Sequence, residues 1–280
     1  MKLLRAGQPG QEIPCILDDN GQARDMSAIV SDYGPDTIEG LFDTLQASDI
    51  ARQPVVDLED LRLSTPMAQP HNIYCIGLNY SDHAEEAGLP IPEEPILFNK
   101  SACAFSAPND PIFYSPKMSK LDWEVELGIV IGKPALNISA EDALDHVLGY
   151  TLVNDVSERA WQLERSGQWA KGKSFPNFCP TGPWIVTTDE LGAARGLSMW
   201  LEVNGQRMQT GSTDKMIFDV ATIVSHLSEF TRLEPGDLIC TGTPPGVGMG
   251  MNPQVWLKVG DRVRLGIEGL GEQGQTVTAL

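Results

Sequence analysis

The segment Asp122-Trp123-Glu124-Val125-Glu126-Leu127-Gly128-Ile129-Val130-Ile131 carries two glutamates inside an apolar run. Read as a strand, its period of two puts Glu124 and Glu126 on one face and Trp123, Val125 and Leu127 on the other. Alternate residues of a strand stand about 7 Å apart, and at an effective dielectric of about 20 two like charges there repel by roughly 2 kcal/mol. A cation between them turns that repulsion into binding, and oxygen-only ligands favour Mg²⁺, Mn²⁺ or Ca²⁺ over Zn²⁺. The alternative is a wet strand face on which the glutamates meet only solvent. Asp155 ends a second apolar run, Val147–Val153, and also has two readings. It is either the N-cap of a helix opening at Val156 or a third carboxylate that completes an oxygen site.

Upstream, Gly77-Leu78-Asn79-Tyr80-Ser81-Asp82-His83-Ala84-Glu85-Glu86-Ala87-Gly88 is followed by Pro90 and Pro92. Asp82 as cap, Glu85 closing the capping box and Gly88 at the end predict a helix of little more than one turn. A helix that short does not persist alone and can order on a ligand as a lid. His83 and Glu86 then share a face, as a general base and its orienting carboxylate would. A surface histidine beside two glutamates that complement the helix dipole fits the same spacing.

Lys171-Gly172-Lys173-Ser174-Phe175 offers cations, either to a pocket or simply to solvent. The run Thr241-Gly242-Thr243-Pro244-Pro245-Gly246-Val247-Gly248-Met249-Gly250 lacks the phosphate-loop pattern, and prolines stand where a dinucleotide fingerprint starts its helix. It reads as a tight loop presenting backbone and the Thr243 hydroxyl to a ligand. No nucleophile elbow, zinc-protease helix or EF-hand loop occurs.

The elements that must position these groups are mostly strands. Residues 1 to about 65 show one helical pattern, Ile38, Leu41, Phe42 and Leu45, between short extended pieces, and Pro66 and Pro70 then punctuate the chain. The expected organisation is a small N-terminal domain, 1–68, and a catalytic domain, 69–280. In the latter, Ile73–Ile76 and Trp123–Ile131 read as strands, Asn204-Gly205 as a hairpin turn, and Val263, Leu265 and Ile267 as one face of a half-buried strand. Two helices are marked: one from the Ser139–Asp142 capping box to Gly149, the other carrying Ile223, Val224, Leu227 and Phe230 and stopping before Pro235-Gly236. Many strands with few, irregularly spaced helices predict an α+β fold with a mixed sheet.

At 280 residues the chain can bury a sizeable core without staples. Its formal net charge of -18 excludes a sequence-independent grip on nucleic acid or anionic membrane, so an anionic ligand needs a local cation. Five cysteines without C-x-x-C spacing suit free thiols in a reducing compartment, and no apolar run can span a bilayer; a cytoplasmic protein is expected.

In their order and spacing these segments resemble the fumarylacetoacetate hydrolase family, from about Ile73 to the C-terminus. The resemblance implies a mixed sheet rolled on itself and a homodimer. It implies Mg²⁺ or Mn²⁺ on Glu124, Glu126 and Asp155, a catalytic His83–Glu86 pair on a mobile lid, and Lys173 beside the metal. Arg159, Gln162 and Thr243 fall where the family contacts substrate. The founding enzyme uses a further aspartate as ligand that has no counterpart here, so the three-carboxylate branch fits better. The implied substrate is a small 2-oxo acid chelating the metal, and the implied reaction is hydrolysis of the C3–C4 bond of a 2,4-diketo acid. Likeness to the subgroup acting on 2,4-diketo-3-deoxy sugar acids of the fuconate or rhamnonate type suggests pyruvate and a hydroxy acid such as lactate as products. Acylpyruvate hydrolysis, oxaloacetate decarboxylation and ureidoglycolate lysis use the same platform, and a non-catalytic metal- and ligand-binding module is the reading from another class. Such a module needs neither a base nor a lid.

Overall fold

The computed structural model describes all 280 residues. The two long apolar runs, Val125–Ile131 and Val147–Asn154, pair antiparallel with Val125 opposite Asn154 and Ile129 opposite Tyr150. Every residue of both is buried, so both faces are covered; that is why the runs read as continuous rather than alternating. On one side of the pair the sheet continues through Leu238–Cys240 and Ile73–Gly77 to the edge strand Ile96–Lys100. On the other it continues through Ile185–Thr187 to Lys2–Ala6, Ile13–Leu17, Ala23–Asp25 and Val55–Val56, ten strands in all. The segment before residue 68 thus extends the same sheet, and its Leu3, Ile16, Tyr33 and Ile38 join the principal core. Leu238–Cys240 runs parallel to Ile73–Gly77 while its other neighbour is antiparallel, so the sheet is mixed.

The sheet curls. Ile96–Lys100 lies four places from Val147–Asn154 in strand order, which in a flat sheet is about 19 Å. Yet Lys100 Nζ reaches the carboxylate of Asp155, the residue directly after Asn154. A second sheet of five strands contains the expected Asn204-Gly205 hairpin, between Ser198–Val203 and Gln206–Ser212, and the half-buried strand Arg262–Ile267. Its inner face supplies Leu201, Val263 and Leu265 to the shared core.

Helices are few and short. The longest, Val220–Phe230, is the one expected from its periodicity, and Asp219 caps it by accepting the Thr222 N–H. Two expectations fail. The Ser139–Asp142 side-chain bonds form, but they close only a turn followed by the 3₁₀ segment Ala143–His146. The chain then extends into Val147–Asn154, because that run gains more from pairing on both sides within the sheet than from one helical stripe. The pattern Ile38 to Leu45 is two pieces, Pro35–Ile38 and Leu41–Gln46, broken at the left-handed Gly40. No helix is long and apolar enough to cross a membrane.

Candidate active site

Strand directions collect the acidic groups at one edge. Glu124 leads into Val125–Ile131, Glu126 lies within it, and Asp155 leaves the antiparallel neighbour at the same end. One carboxylate oxygen from each of the three lies within 4.8 Å of the others, and all three residues are buried. Asp155 is therefore not a helix cap. The next helix is Arg159–Leu163, and Glu158 caps it by accepting the Ala160 N–H.

Buried cations converge on these carboxylates. Lys173 Nζ donates to Glu124 Oε2 at 2.6 Å and to Asp155 Oδ2 at 2.8 Å, and Lys100 Nζ donates to the other oxygen of Asp155. Arg159 forks between Glu124 (2.6 Å) and Asp122 (2.9 Å), and its remaining nitrogen holds the Gln162 amide oxygen at 3.0 Å. Glu126 makes no ion pair and accepts only the Gly242 N–H, at 2.8 Å. Burial alone would raise the Glu124 pKa, but the Arg159 and Lys173 charges outweigh it and hold this carboxyl well below the usual range. For Glu126, burial and the neighbouring Asp155 and Glu124 push the same way, and its pKa is raised well above normal. Burial works against the Lys173 charge, yet Asp155 and Glu124 prevail and its ammonium is held protonated.

Four carboxylates, Asp122 included, thus face three cations, and the uncompensated one is Glu126. The donor set is all oxygen, clustered and short of one positive group, which fits a hard divalent cation.

Above this floor sits the helix Ser81–Ala87, ended by Gly88 as expected. Tyr80 rather than Asp82 occupies its N-cap, because the fully buried Tyr80 ring fixes the chain where it enters the helix. His83 Nδ1 pairs with Glu86 Oε2 at 2.9 Å, and Glu86 Oε1 accepts the Gly246 N–H at 2.9 Å. Gly246 holds φ at +102°, a conformation that side-chain-bearing residues rarely adopt. The glycine-rich loop therefore receives this helix's carboxylate, and its Gly248 and Met249 N–H groups bind Asp122 (2.7 and 3.1 Å). His83, Glu124, Glu126, Arg159, Gln162 and Lys173 line one cavity of about 250 Å³.

The residues expected at the site from the sequence lie in or around this cavity, and two of the expected substrate contacts are already engaged: Arg159 commits its nitrogens to Asp122, Glu124 and Gln162, and Thr243 is bonded within the protein. Thr243 lines it, but its hydroxyl donates to the Val125 carbonyl (2.9 Å) and accepts from Gln209 (2.8 Å), so it braces the strand and is not free for a ligand. Lys100, Asp122 and Trp169 were missed. Lys100 left no sequence signal: in Ile96–Lys100 the apolar Ile96 and Leu97 are exposed while Lys100 is buried, the reverse of what side-chain polarity suggests. Asp122 left none beyond its place just before the paired glutamates.

Comparison with known proteins gives a consistent picture. Residues 72–278 match the family described as fumarylacetoacetate (FAA) hydrolase, C-terminal. A Burkholderia multivorans protein, bearing only a provisional name as a hydrolase, is 52% identical over 282 residues, covering 100% of this chain and 99% of the relative. A fumarylacetoacetate hydrolase from Exiguobacterium antarcticum is 36% identical with a TM-score of 0.86, each chain covered to 100%. Maleylpyruvate hydrolase from Sphingobium sp. SYK-6, solved with manganese (II) and pyruvate, is 27% identical with a TM-score of 0.83, covering 100% of this chain and 99% of that one. With the family match spanning the strands, short helix and loop that build the cavity, this chain belongs to the fumarylacetoacetate hydrolase family.

Proposed function

We propose that this protein hydrolyses the C3–C4 bond of a 2,4-diketo acid, releasing pyruvate and a carboxylic acid, with Mg²⁺ or Mn²⁺ held by Glu124, Glu126 and Asp155. One observation carries the reading: His83, paired with Glu86, opens on the same cavity as Glu124, Glu126 and Lys173. A base with an orienting carboxylate facing a cation-deficient oxygen cluster is what water activation beside a bound 2-oxo acid requires. The Sphingobium relative with manganese and pyruvate supports the same choice of metal class and product.

When bound, the cation supplies Lewis-acid stabilisation of charge developing on the C2 carbonyl oxygen. The chain's own residues do the rest. His83 accepts a proton from water as its oxygen attacks C4, and Glu86 orients the imidazole and stabilises the cation it becomes. The C3–C4 bond then breaks, its electron pair passes into the C2 carbonyl system, and C3 later takes up a proton to give pyruvate. Lys173 keeps its charge beside Glu124 and Asp155 and provides a fixed positive field on the floor of the cavity. Arg159 holds the Gln162 amide oxygen, which leaves the amide N–H groups for the substrate.

A second reading has support of its own. A 2-hydroxyhepta-2,4-diene-1,7-dioate isomerase from Mycobacterium marinum is 35% identical to this chain with a TM-score of 0.80. Isomerisation moves protons and breaks no carbon–carbon bond. Turnover of acetopyruvate in ¹⁸O-labelled water separates the two: hydrolysis places label in the acetate released, whereas intact substrate isomers without label would overturn the hydrolytic reading.

A further inference from the structure

The cavity is chemically divided. Its floor carries all the charge, and both cations that line it, Arg159 and Lys173, are committed to Asp122, Glu124 and Asp155. From Lys173 a wall of aromatic rings leads outward. The ammonium lies 5.0 Å from the Phe98 ring centroid, and Phe98 meets Trp169 edge to face at 5.3 Å. Trp169 is seated on Gly77, the last residue of the strand next to the sheet edge. A Cβ there would stand 2.6 Å from Trp169 Cζ3, so glycine is what lets the indole lie against the backbone. At the outer end Leu89, Ile96 and Leu163 also line the cavity, and they are 53%, 37% and 47% exposed. Apart from His83 and the charged floor, the polar side chains lining the cavity are Gln162 and Thr243, and the Thr243 hydroxyl is already committed.

A substrate anchored on the floor by its 2-oxo acid end must run its far group along this wall. Along that wall a polyhydroxylated tail would lose water and find only the Gln162 amide and the Trp169 indole N–H as partners, and a second carboxylate would find no free cation. An apolar group would instead cover side chains that are otherwise wet. Resting on the diketo acid reading above, we propose that Trp169, seated on Gly77, selects substrates whose group beyond C4 is an alkyl or aryl chain and disfavours hydroxylated or carboxylated tails.

The test is a series of acylpyruvates on the metal-loaded enzyme: acetyl, pentanoyl and heptanoyl, with succinylpyruvate as the carboxylated and 2,4-diketo-3-deoxyfuconate as the hydroxylated member. kcat/KM should rise about threefold per methylene, a little under the value for full burial, and both polar tails should fall below acetopyruvate. Titration calorimetry of the same compounds on His83→Ala, where turnover is slow, should reproduce the order as Kd. Trp169→Ala should raise KM for the heptanoyl substrate most and cut the heptanoyl-to-acetyl preference about tenfold, while Trp169→Phe should retain most of it. Cleavage of acetopyruvate with a flat or inverted tail series, or with the sugar acid preferred, overturns the tail assignment and leaves the reaction standing. Absence of turnover for every diketo acid removes both.

Discussion

Glu124 accepts from Lys173 and Arg159, and Asp155 from Lys173 and Lys100, all of them buried. His83 has one partner, Glu86, and Glu86 is tied to the rest of the molecule through a single N–H, that of Gly246. The floor of the cavity is thus fixed several times over, while the His83–Glu86 pair above it is fixed about once. A dense buried network is a poor source of net stability, since desolvating each ion costs several kcal/mol before any attraction is counted. Its value is geometric: ligand oxygens are already in position, so little must be reorganised when a cation or a substrate arrives. A helix of seven residues is below the length that holds itself in water, so its order rests on what it packs against, and the expected lid motion is open to test by hydrogen exchange.

The largest expected effect follows from breaking the floor where it is least compensated. Glu126→Ala removes one of three ligands, and turnover with Mg²⁺ or Mn²⁺ should fall further than the 10²–10⁴-fold typical of losing a general base. Titration calorimetry should show divalent-cation binding lost as well. Glu126→Gln keeps the shape without the charge, and its metal-free melting temperature should match or exceed that of the parent, because a buried, unpaired carboxylate has been removed. Undiminished turnover in excess EDTA would rule out a metal-dependent floor.

The second effect breaks the lid chemically and leaves the floor intact. His83→Ala should slow diketo acid hydrolysis by about 10²–10⁴-fold. Decarboxylation of oxaloacetate, which needs only an electron sink, should fall much less, and metal affinity should hold because the ligands sit on other segments. An equal fall in both reactions at constant metal affinity would end the water-activating role. Glu86→Gln should be milder, on the order of tenfold, since the amide still orients the imidazole but stabilises its cation less.

What could be read from the sequence divides along the same line. Period-two spacing placed Glu124 and Glu126 together, and i,i+3 spacing paired His83 with Glu86, because both are local relations that backbone geometry dictates. Lys100 could not be read in the same way. It reaches Asp155 only because the sheet curls across four strand positions, a tertiary relation without a local pattern. Trp169 on Gly77 is likewise a contact between distant segments. The loop around Gly246 was legible as a turn but not as a receptor for Glu86 and Asp122, since the glycines tell where backbone can approach and not what approaches it. The Ser139–Asp142 box shows the opposite failure: a correct local signal was overridden by the pairing of the run that follows.

The smallest expected effect sharpens the comparison without changing a residue. Few backbone bonds hold the lid, among them Ala84 N–H to Tyr80 O (2.9 Å), Gly88 N–H to Glu85 O (3.1 Å) and Leu89 N–H to Ala84 O (3.0 Å). Beyond them Leu89 and Ile91 are exposed and Pro90 and Pro92 donate nothing, so amides between residues 80 and 92 should exchange through frequent local opening. The strands Val125–Ile131 and Val147–Asn154 are paired on both sides and buried, and their amides should exchange only on wider unfolding. Adding Mg²⁺ with oxalate, a planar dianion that stands in for the enol form of pyruvate, should pin His83 over the floor. Lid amides should then slow by roughly tenfold, which corresponds to about 1.4 kcal/mol of added closure, a modest sum because only a few contacts are gained. Strand amides have little protection left to gain and should change less. Strong, equal protection of residues 80–92 with and without oxalate would make the lid as fixed as the floor, and the contrast between them would disappear.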